Sequence, residues 1–437
     1  MSETTTLKKS LRGIHIWALA VGLVISGEYF GWNYGWASGG PMGMFIATLL
    51  VTIFYLCFVF SFTELTTALP DAGGPFTFAD KAFGRRVAVF TGYATVVEFV
   101  LATPAIAIAL GSYVHFLHPI LDTTIVAIVA YLLFTIINFI GIKESAAFTL
   151  IVTILAIAEL LIYIGITSTH YEASNIELIN TSTTFKDVFS AIPFAIWLYL
   201  AIEGVAMVSE EVKDPKKSLP IGYITGIITL CILAIGVMFF TCAAVPWQQL
   251  TAIDYPLPET IGILLGKGNT LTTIIAGVGI FGLIASFNSI ITSYSRQLFA
   301  LSRAGILTPS LAHIHIRYKT PHKALLVGLG IGIISIFSGK TNDLIILSAM
   351  GATSMYIVSM FSLFTLRKNN PALVRPFKVP YYPILPMIAL LLGLLCMLAM
   401  FYFNVKLGCI FFLGGLISIL AYELNQRSKS NVQDANK

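Results

Sequence analysis

Long apolar runs separated by short polar segments dominate this chain. Twelve runs stand out, at 14–37, 41–69, 86–116, 123–141, 146–167, 187–210, 219–245, 270–301, 322–338, 342–366, 382–402 and 405–423. Each comes close to or exceeds the roughly 20 residues a helix needs to cross the hydrocarbon core of a bilayer. They are too long and too continuously apolar for the alternating pattern of barrel strands. Helices also satisfy their backbone groups internally, as a lipid environment requires. The pattern predicts an all-α polytopic membrane protein with 12 transmembrane helices.

The polar segments supply an orientation. With a cytoplasmic N-terminus, the inner side holds Lys8, Lys9, Arg12, Lys81, Arg85, Arg86 and Lys143. It continues with Lys213, Lys216, Lys217, Arg296, Arg303, Arg317, Lys319 and Lys323, then Arg367, Lys368, Arg375, Lys378, Arg427, Lys429 and Lys437. Of 26 lysines and arginines, only Lys186, Lys267, Lys340 and Lys406 fall outside. This asymmetry is a positive-inside signal and places both termini, 1–13 and 424–437, in the cytoplasm of a multi-pass plasma-membrane protein. One miscounted span would scramble it downstream.

Composition agrees. Hydrophobic residues make up 57% and charged residues 11%, against about 25% charged in soluble domains. That excludes an ordinary cytosolic enzyme, a disordered chain and a disulfide scaffold. The net charge of +5 matters only through its placement, and no basic run is long enough to track nucleic-acid phosphates. The partner to expect is the lipid bilayer. Cys57, Cys231, Cys242, Cys396 and Cys409 lie in or near apolar runs without CxxC spacing and read as packing residues. Lys8, Lys9 and Arg12 precede an apolar stretch without a cleavage site, which reads as an uncleaved first span.

Two spans are interrupted in matching ways. Ser26-Gly27 with Glu28 falls in the middle of the first, and Ala201-Ile202-Glu203-Gly204 in the middle of the sixth. Glycine weakens a helix, and a carboxylate at membrane depth is costly. Their recurrence predicts a five-plus-five inverted repeat: helices 1–5 over 14–167 and helices 6–10 over 187–366. Helices 11–12, over 382–423, are appended. Broken helices at matching positions of two halves point to a transporter binding site. Two glycine packing contacts are the plainer alternative, but they leave the two acids unexplained.

Four loop motifs then carry a resemblance. FTELTTALPDAGGPFTFADKAFG follows span two, EEVKDPKKSLPIG span six, SRQLFALSRAGILTP span eight and LRKNNPALVRPFKVP span ten. In that order they resemble the amino acid–polyamine–organocation (APC) transporters, over nearly the whole length. The resemblance implies a LeuT-like fold with discontinuous helices 1 and 6, and secondary transport of a small molecule without a cofactor or enzymatic activity. The segment ISGEYFGWNYGWASGGPMG is similar to the ethanolamine permease branch, with Glu28-Tyr29 where the wider family has small residues and an isoleucine.

The resemblance implies substrate contacts at Ser26, Gly27, Glu28, Tyr29, Trp197, Ala201, Glu203 and Gly204. In related amino-acid carriers the amides of the first-span break hold the substrate carboxylate. Glu28 stands where those amides are expected to begin. A carboxylate there would satisfy the positive helix end and repel a second carboxylate, which favours an amine without an acid, such as ethanolamine. Capping of the half-helix is the other reading of Glu28. Trp197 offers an indole face to an ammonium, or plain packing. Glu203, Glu98 and Glu159 are candidates for proton coupling. Ser286, Asn288 and Ser289 face the level of span one and are expected to line the path or to bond across helices. Glu64, near the inner end of span two, reads as a loop anchor.

His313 and His315 have no acidic or cysteine partner nearby in sequence, so no metal site is expected. No P-loop, GxSxG or HExxH occurs, and ATP-driven transport and membrane hydrolysis are not supported. The expectation is a permease importing ethanolamine or a similar small amine, with an amino acid or polyamine carrier of the same family as alternative. Proton symport, exchange and uniport all stay open.

Overall fold

A computed structural model describes residues 11–141, 146–177 and 183–435. Lys8, Lys9, Lys143 and Lys437 of the charge pattern lie outside them. The helices are α1 (Gly13–Val24), α2 (Ser26–Tyr29), α3 (Asn33–Ala68), α4 (Pro75–Phe83), α5 (Arg85–Leu117), α6 (Thr123–Ile140), α7 (Ala146–Thr169) and α8 (Ala173–Glu177). They continue with α9 (Phe185–Trp197), α10 (Pro215–Ala244), α11 (Pro256–Leu265), α12 (Thr270–Arg303), α13 (His322–Phe337), α14 (Thr341–Asn369), α15 (Ile384–Phe403) and α16 (Val405–Ala435). A 3₁₀ helix, Ile202–Glu211, follows α9.

Local chemistry sets many of the ends. Pro75, Pro215 and Pro256 open α4, α10 and α11, where a missing N–H costs nothing. Asp122 caps α6 by accepting from Ile125 N–H at 3.0 Å, and Asn269 caps α12 by accepting from Leu271 N–H at 2.8 Å.

Among the described residues, ten helical segments are long and apolar enough to cross a membrane; Gly13–Tyr29 and His322–Phe337 are apolar but shorter. The expected limits hold closely where nothing interrupts a run, as for 86–116 in α5 and 270–301 in α12. They fail at the first span. Its second part does not end at residue 37 but runs into the second span as α3, with only Gly40 (φ 65°) leaving helical geometry before Pro41. The helix α11, in the loop after α10, has no counterpart among the expected spans.

Helix α5 is largely enclosed, packed between α12 and α14, and the sixth-span segment Phe185–Glu211 is enclosed throughout, while α3 lies along α9 and α1 along α10. The peripheral helices expose apolar side chains, including Ile125, Val129 and Ile136 on α6 and Ile410, Leu413 and Ile417 on α16. These are the faces a bilayer would cover.

The four loop motifs meet at the basic end of the bundle. Glu64 of α3 accepts from Arg367 Nε at 2.8 Å and Nη2 at 2.5 Å, and from Val379 N–H at 2.7 Å. Arg375 adds an ion pair at 3.3 Å. Glu64 therefore anchors the segment after α14. Glu210 accepts from Ala72 N–H at 3.0 Å, and Glu211 pairs with Arg296 of α12 at 2.9 Å. Leu11 N–H donates to Glu211 O at 3.1 Å, and Lys213 N–H to Leu11 O at 3.0 Å. These contacts close the basic end between α1 and the 3₁₀ helix.

The opposite end is closed by the loop before α11. Asn33 Nδ2 donates to Leu250 O at 2.6 Å and Ile253 O at 2.8 Å. Asp254 accepts from Tyr34 O–H at 2.7 Å and from Thr341 O–H at 3.3 Å, which ties α3, the loop and α14 together. Burial raises the Asp254 pKa from 3.8 to about 6, against the opposing effect of these two hydroxyls. Between those values the closed arrangement binds more protons than one in which Asp254 is hydrated. Its proton-linked stabilisation is fully present below about 4 and is lost as pH rises through about 6. Hydrogen exchange of residues 246–256, corrected for intrinsic rates, is expected to slow on acidification through that window. Asp254→Asn is expected to abolish the dependence.

Candidate functional site

The first span does not break where the Ser-Gly pair stands. Ile25 keeps right-handed helical angles (φ −56°, ψ −20°) between α1 and α2. Helical geometry is lost at Phe30 (φ −163°, ψ 170°) and Gly31 (φ 97°). Only glycine adopts that Gly31 conformation without strain. Aromatic donors take the carbonyls that the break frees. Trp32 Nε1 donates to Glu28 O at 3.0 Å, Tyr113 O–H to Tyr29 O at 2.8 Å, and Trp197 Nε1 to Phe30 O at 3.0 Å.

This shift corrects the expectation for Glu28. It lies on the last turn before the break, at the carbonyl end of the first half-helix rather than at the amides of the second. The positive helix end expected to hold it ionised is not there. Glu28 is fully buried, with neither carboxyl oxygen hydrogen-bonded. It faces Tyr199 and Cys231. The capping reading also fails, because a cap would require bonded oxygens.

The sixth span breaks as its sequence indicates. α9 ends at Trp197, Ala201 takes a left-handed conformation (φ 80°), and the 3₁₀ helix begins at Ile202. A non-glycine residue there is strained, and such strain concentrates at functional positions. The two interrupted segments touch backbone to backbone. A Cβ on Gly27 would lie 2.5 Å from Trp197 O and 3.0 Å from Leu198 Cα. A Cβ on Gly204 would lie 3.0 Å from a Leu23 methyl carbon. Trp197 closes over the break of the first span, its ring meeting Phe30 edge-on at 5.4 Å.

The remaining site residues fall into two groups around these breaks. On one side, Tyr29 O–H bonds Glu159 and also reaches Ala156 O at 3.3 Å. Ser286 O–H reaches Leu23 O at 2.7 Å and Ser26 Oγ at 2.8 Å, so α12 takes one of the last carbonyls of α1. On the other side, Tyr356 O–H donates to Glu203 at 2.6 Å, and Glu98 lies against Glu203. The three expected path residues separate. Ser286 reaches the first span, Asn288 accepts from Asn138 of α6 at 2.7 Å, and Ser289 bonds back to Ala285 O at 2.8 Å.

Sequence reasoning missed Tyr113, Tyr356 and Trp32. All three are spaced as ordinary core aromatics, and only their carbonyl or carboxylate partners distinguish them. Among the described residues, no lysine, arginine or histidine is buried. Glu28, Glu98, Glu159 and Glu203 are buried at membrane depth without a basic partner. Glu64, the other buried acid, has its two arginines. The rings of His313 and His315 both meet His322 edge-on, at 5.7 and 5.3 Å. No group of three or more histidines, cysteines or acids among the described residues has a geometry that would hold a metal ion.

The family profile for amino acid permeases matches residues 12–412. The chain belongs to the amino acid permease family. This permease is 28% identical to an uncharacterized transporter of Rhizobium meliloti, over 92% of its own length and 88% of the relative's. It is 26% identical to the branched-chain amino acid permease BcaP of Bacillus subtilis, over 98% and 96%. It is 24% identical to the serine/threonine exchanger SteT of the same organism, over 89% and 90%. The permease is thus a multi-pass membrane transporter of the APC family, as the loop motifs implied. None of these relatives is named for ethanolamine.

Proposed function

We propose that this permease is a secondary transporter of small neutral amino acids, working by alternating access around the broken first and sixth spans. In this reading it has twelve crossings in two inverted five-helix repeats plus two helices, with both termini in the cytoplasm of the plasma membrane. The observation that carries the reading is the direct contact between the two interrupted spans, where Gly27, one turn before the first break, meets Trp197–Leu198 at the end of α9, flanked by buried acids without buried bases. Such a core suits a substrate bearing an ammonium group and leaves room for proton coupling through Glu98, Glu159 or Glu203. Substrate entry would part the breaks, so that Ser26, Gly27, Tyr29, Ala201 and Gly204 contribute backbone groups.

The ethanolamine reading loses its main physical support. It required Glu28 at the amides of the break to repel a substrate carboxylate, and Glu28 sits before the break and faces Tyr199 and Cys231. The relatives named for amino acids favour the amino-acid reading. One observation keeps ethanolamine as the second reading: both Glu28 oxygens lack a donor, and an ammonium would supply one. Uptake of labelled L-serine, L-isoleucine and ethanolamine into proteoliposomes decides between the two.

A further inference from the structure

A cavity of about 460 Å³ lies at the basic end of the bundle, where the start of α5 meets the last turns of α16. That is within the roughly 300–1,000 Å³ range of small-molecule sites. Arg85, Arg86 and Arg427 line it, with Phe83, Tyr422 and one acid, Glu423. Two ion pairs border it: Glu423 holds Arg86 at 2.6 Å, and Asp80 holds Arg85 at 3.5 Å. The Arg86 side chain is 77% exposed and that of Arg85 45%. Ion pairs this open to water contribute little, so either arginine can exchange its carboxylate for another anion at small cost. Phosphate is the anion whose oxygens fit the guanidinium fork.

An apolar stripe leads from this cavity along α16. Leu424, Leu420, Ile417 and Leu413 follow one another at steps of four, three and four residues, the spacing that keeps side chains on one helix face. All four are exposed. Arg427 comes three residues after Leu424 and ends the stripe on the same face. At 1.5 Å per residue, Leu413 to Leu424 rises about 16 Å, close to half of a hydrocarbon core about 30 Å thick. The stripe therefore has the depth of one leaflet. By the same measure Arg427 lies about 33 Å from the start of α16 at Val405, which brings the cavity to the level of the headgroups.

We propose that this corner binds an anionic phospholipid of the leaflet at the basic end, its phosphate among Arg85, Arg86 and Arg427 and an acyl chain along the stripe from Leu424 to Leu413. Basic pockets between membrane helices select such headgroups by charge. A zwitterionic headgroup would bring its own ammonium against the same arginines. A second copy of the chain fits the stripe but not its end: a two-fold axis along the membrane normal would set Arg427 against Arg427. An anionic lipid supplies both the charge and the chain. Bound there, it joins the largely enclosed α5 to the peripheral α16. Glu423 competes with the phosphate for Arg86. The site lies apart from the two breaks and does not depend on which substrate the permease carries.

Native mass spectrometry of the full-length protein in detergent counts the lipids it retains. The probes are dioleoylphosphatidylglycerol and dioleoylphosphatidylcholine, titrated separately. One basic residue facing anionic lipid is worth about fivefold in binding. Arg427→Gln and Arg86→Gln should each weaken the first phosphatidylglycerol site about fivefold, and the double variant about twenty-five-fold. Glu423→Gln should strengthen it by a similar factor, because the competing carboxylate is gone. Phosphatidylcholine binding should not change in any of them. The opposite signs of Arg86→Gln and Glu423→Gln separate a lipid site from a merely structural ion pair, whose loss from either side would act in one direction. If Arg86→Gln fails to fold, Arg427→Gln and Glu423→Gln carry the test. Free sn-glycerol 3-phosphate at the same concentration should displace no lipid. The proposal is overturned if the two lipids bind equally, if Glu423→Gln weakens phosphatidylglycerol binding, or if Arg427→Gln leaves it unchanged. Displacement by glycerol phosphate would overturn it in favour of a soluble phosphate, and a dimer retaining no phosphatidylglycerol in favour of a second copy.

Discussion

Replacing Gly27 with valine is expected to lower transport about a hundredfold or more, since small misplacements at a working site carry penalties of that size. Gly27 lies where the first span meets the backbone of the sixth, and even a Cβ would overlap Trp197 O at 2.5 Å. Backbone cannot rotate away as a flexible side chain can. The valine therefore forces the two interrupted segments apart, and overpacking of this kind costs about 1–3 kcal/mol. Gly277 of α12 has nothing within 4 Å of its Cβ position, so Gly277→Val tests whether any glycine-to-valine change does the same. Monodisperse elution of both variants, with uptake lost only in Gly27→Val, is the expected result. Normal uptake by Gly27→Val would mean that the two interrupted spans need not meet at Gly27 during the cycle.

The largest stability effect is expected at Glu64. Its carboxylate is buried, holds a bidentate Arg367 and a second guanidinium from Arg375, and accepts from Val379 N–H. The Arg367 guanidinium also lies 3.8 Å from the centre of the Tyr382 ring, so it has little freedom to find water. Glu64→Ala strands two poorly hydrated cations together and leaves a buried N–H unbonded. Breaking a buried pair from one side typically costs about 3–5 kcal/mol. Thermal unfolding in detergent should shift to a lower midpoint, with residues 367–379 losing hydrogen-exchange protection first. An unchanged midpoint would show that this segment is not tied to α3 by its charge.

Much of this was readable from the sequence because apolar runs in a membrane have few alternatives to helix. The runs at 86–116 and 270–301 became α5 and α12 almost residue for residue. Glu64 was readable as an anchor because a lone acid at a span's end faces a loop rich in arginine. The position of the first break was not readable. Gly27, Gly31 and Gly35 are locally equivalent, and what selects Gly31 is Trp197, which arrives from the sixth span to take the freed Phe30 carbonyl. The same holds for Trp197 itself: the resemblance offered its indole face to an ammonium or to plain packing, while its N–H is committed to that carbonyl. The meeting of Glu98 and Glu203 depends on how α5 packs against the sixth-span break. No periodicity records that.

The central claim is that this permease carries small neutral amino acids. Reconstituted into lipid vesicles, the purified protein is expected to take up labelled L-serine or L-isoleucine. Either unlabelled amino acid in excess should suppress uptake strongly, and ethanolamine only weakly. Strong uptake of labelled ethanolamine, unaffected by excess of both amino acids, would contradict the account and return Glu28 to the substrate's ammonium.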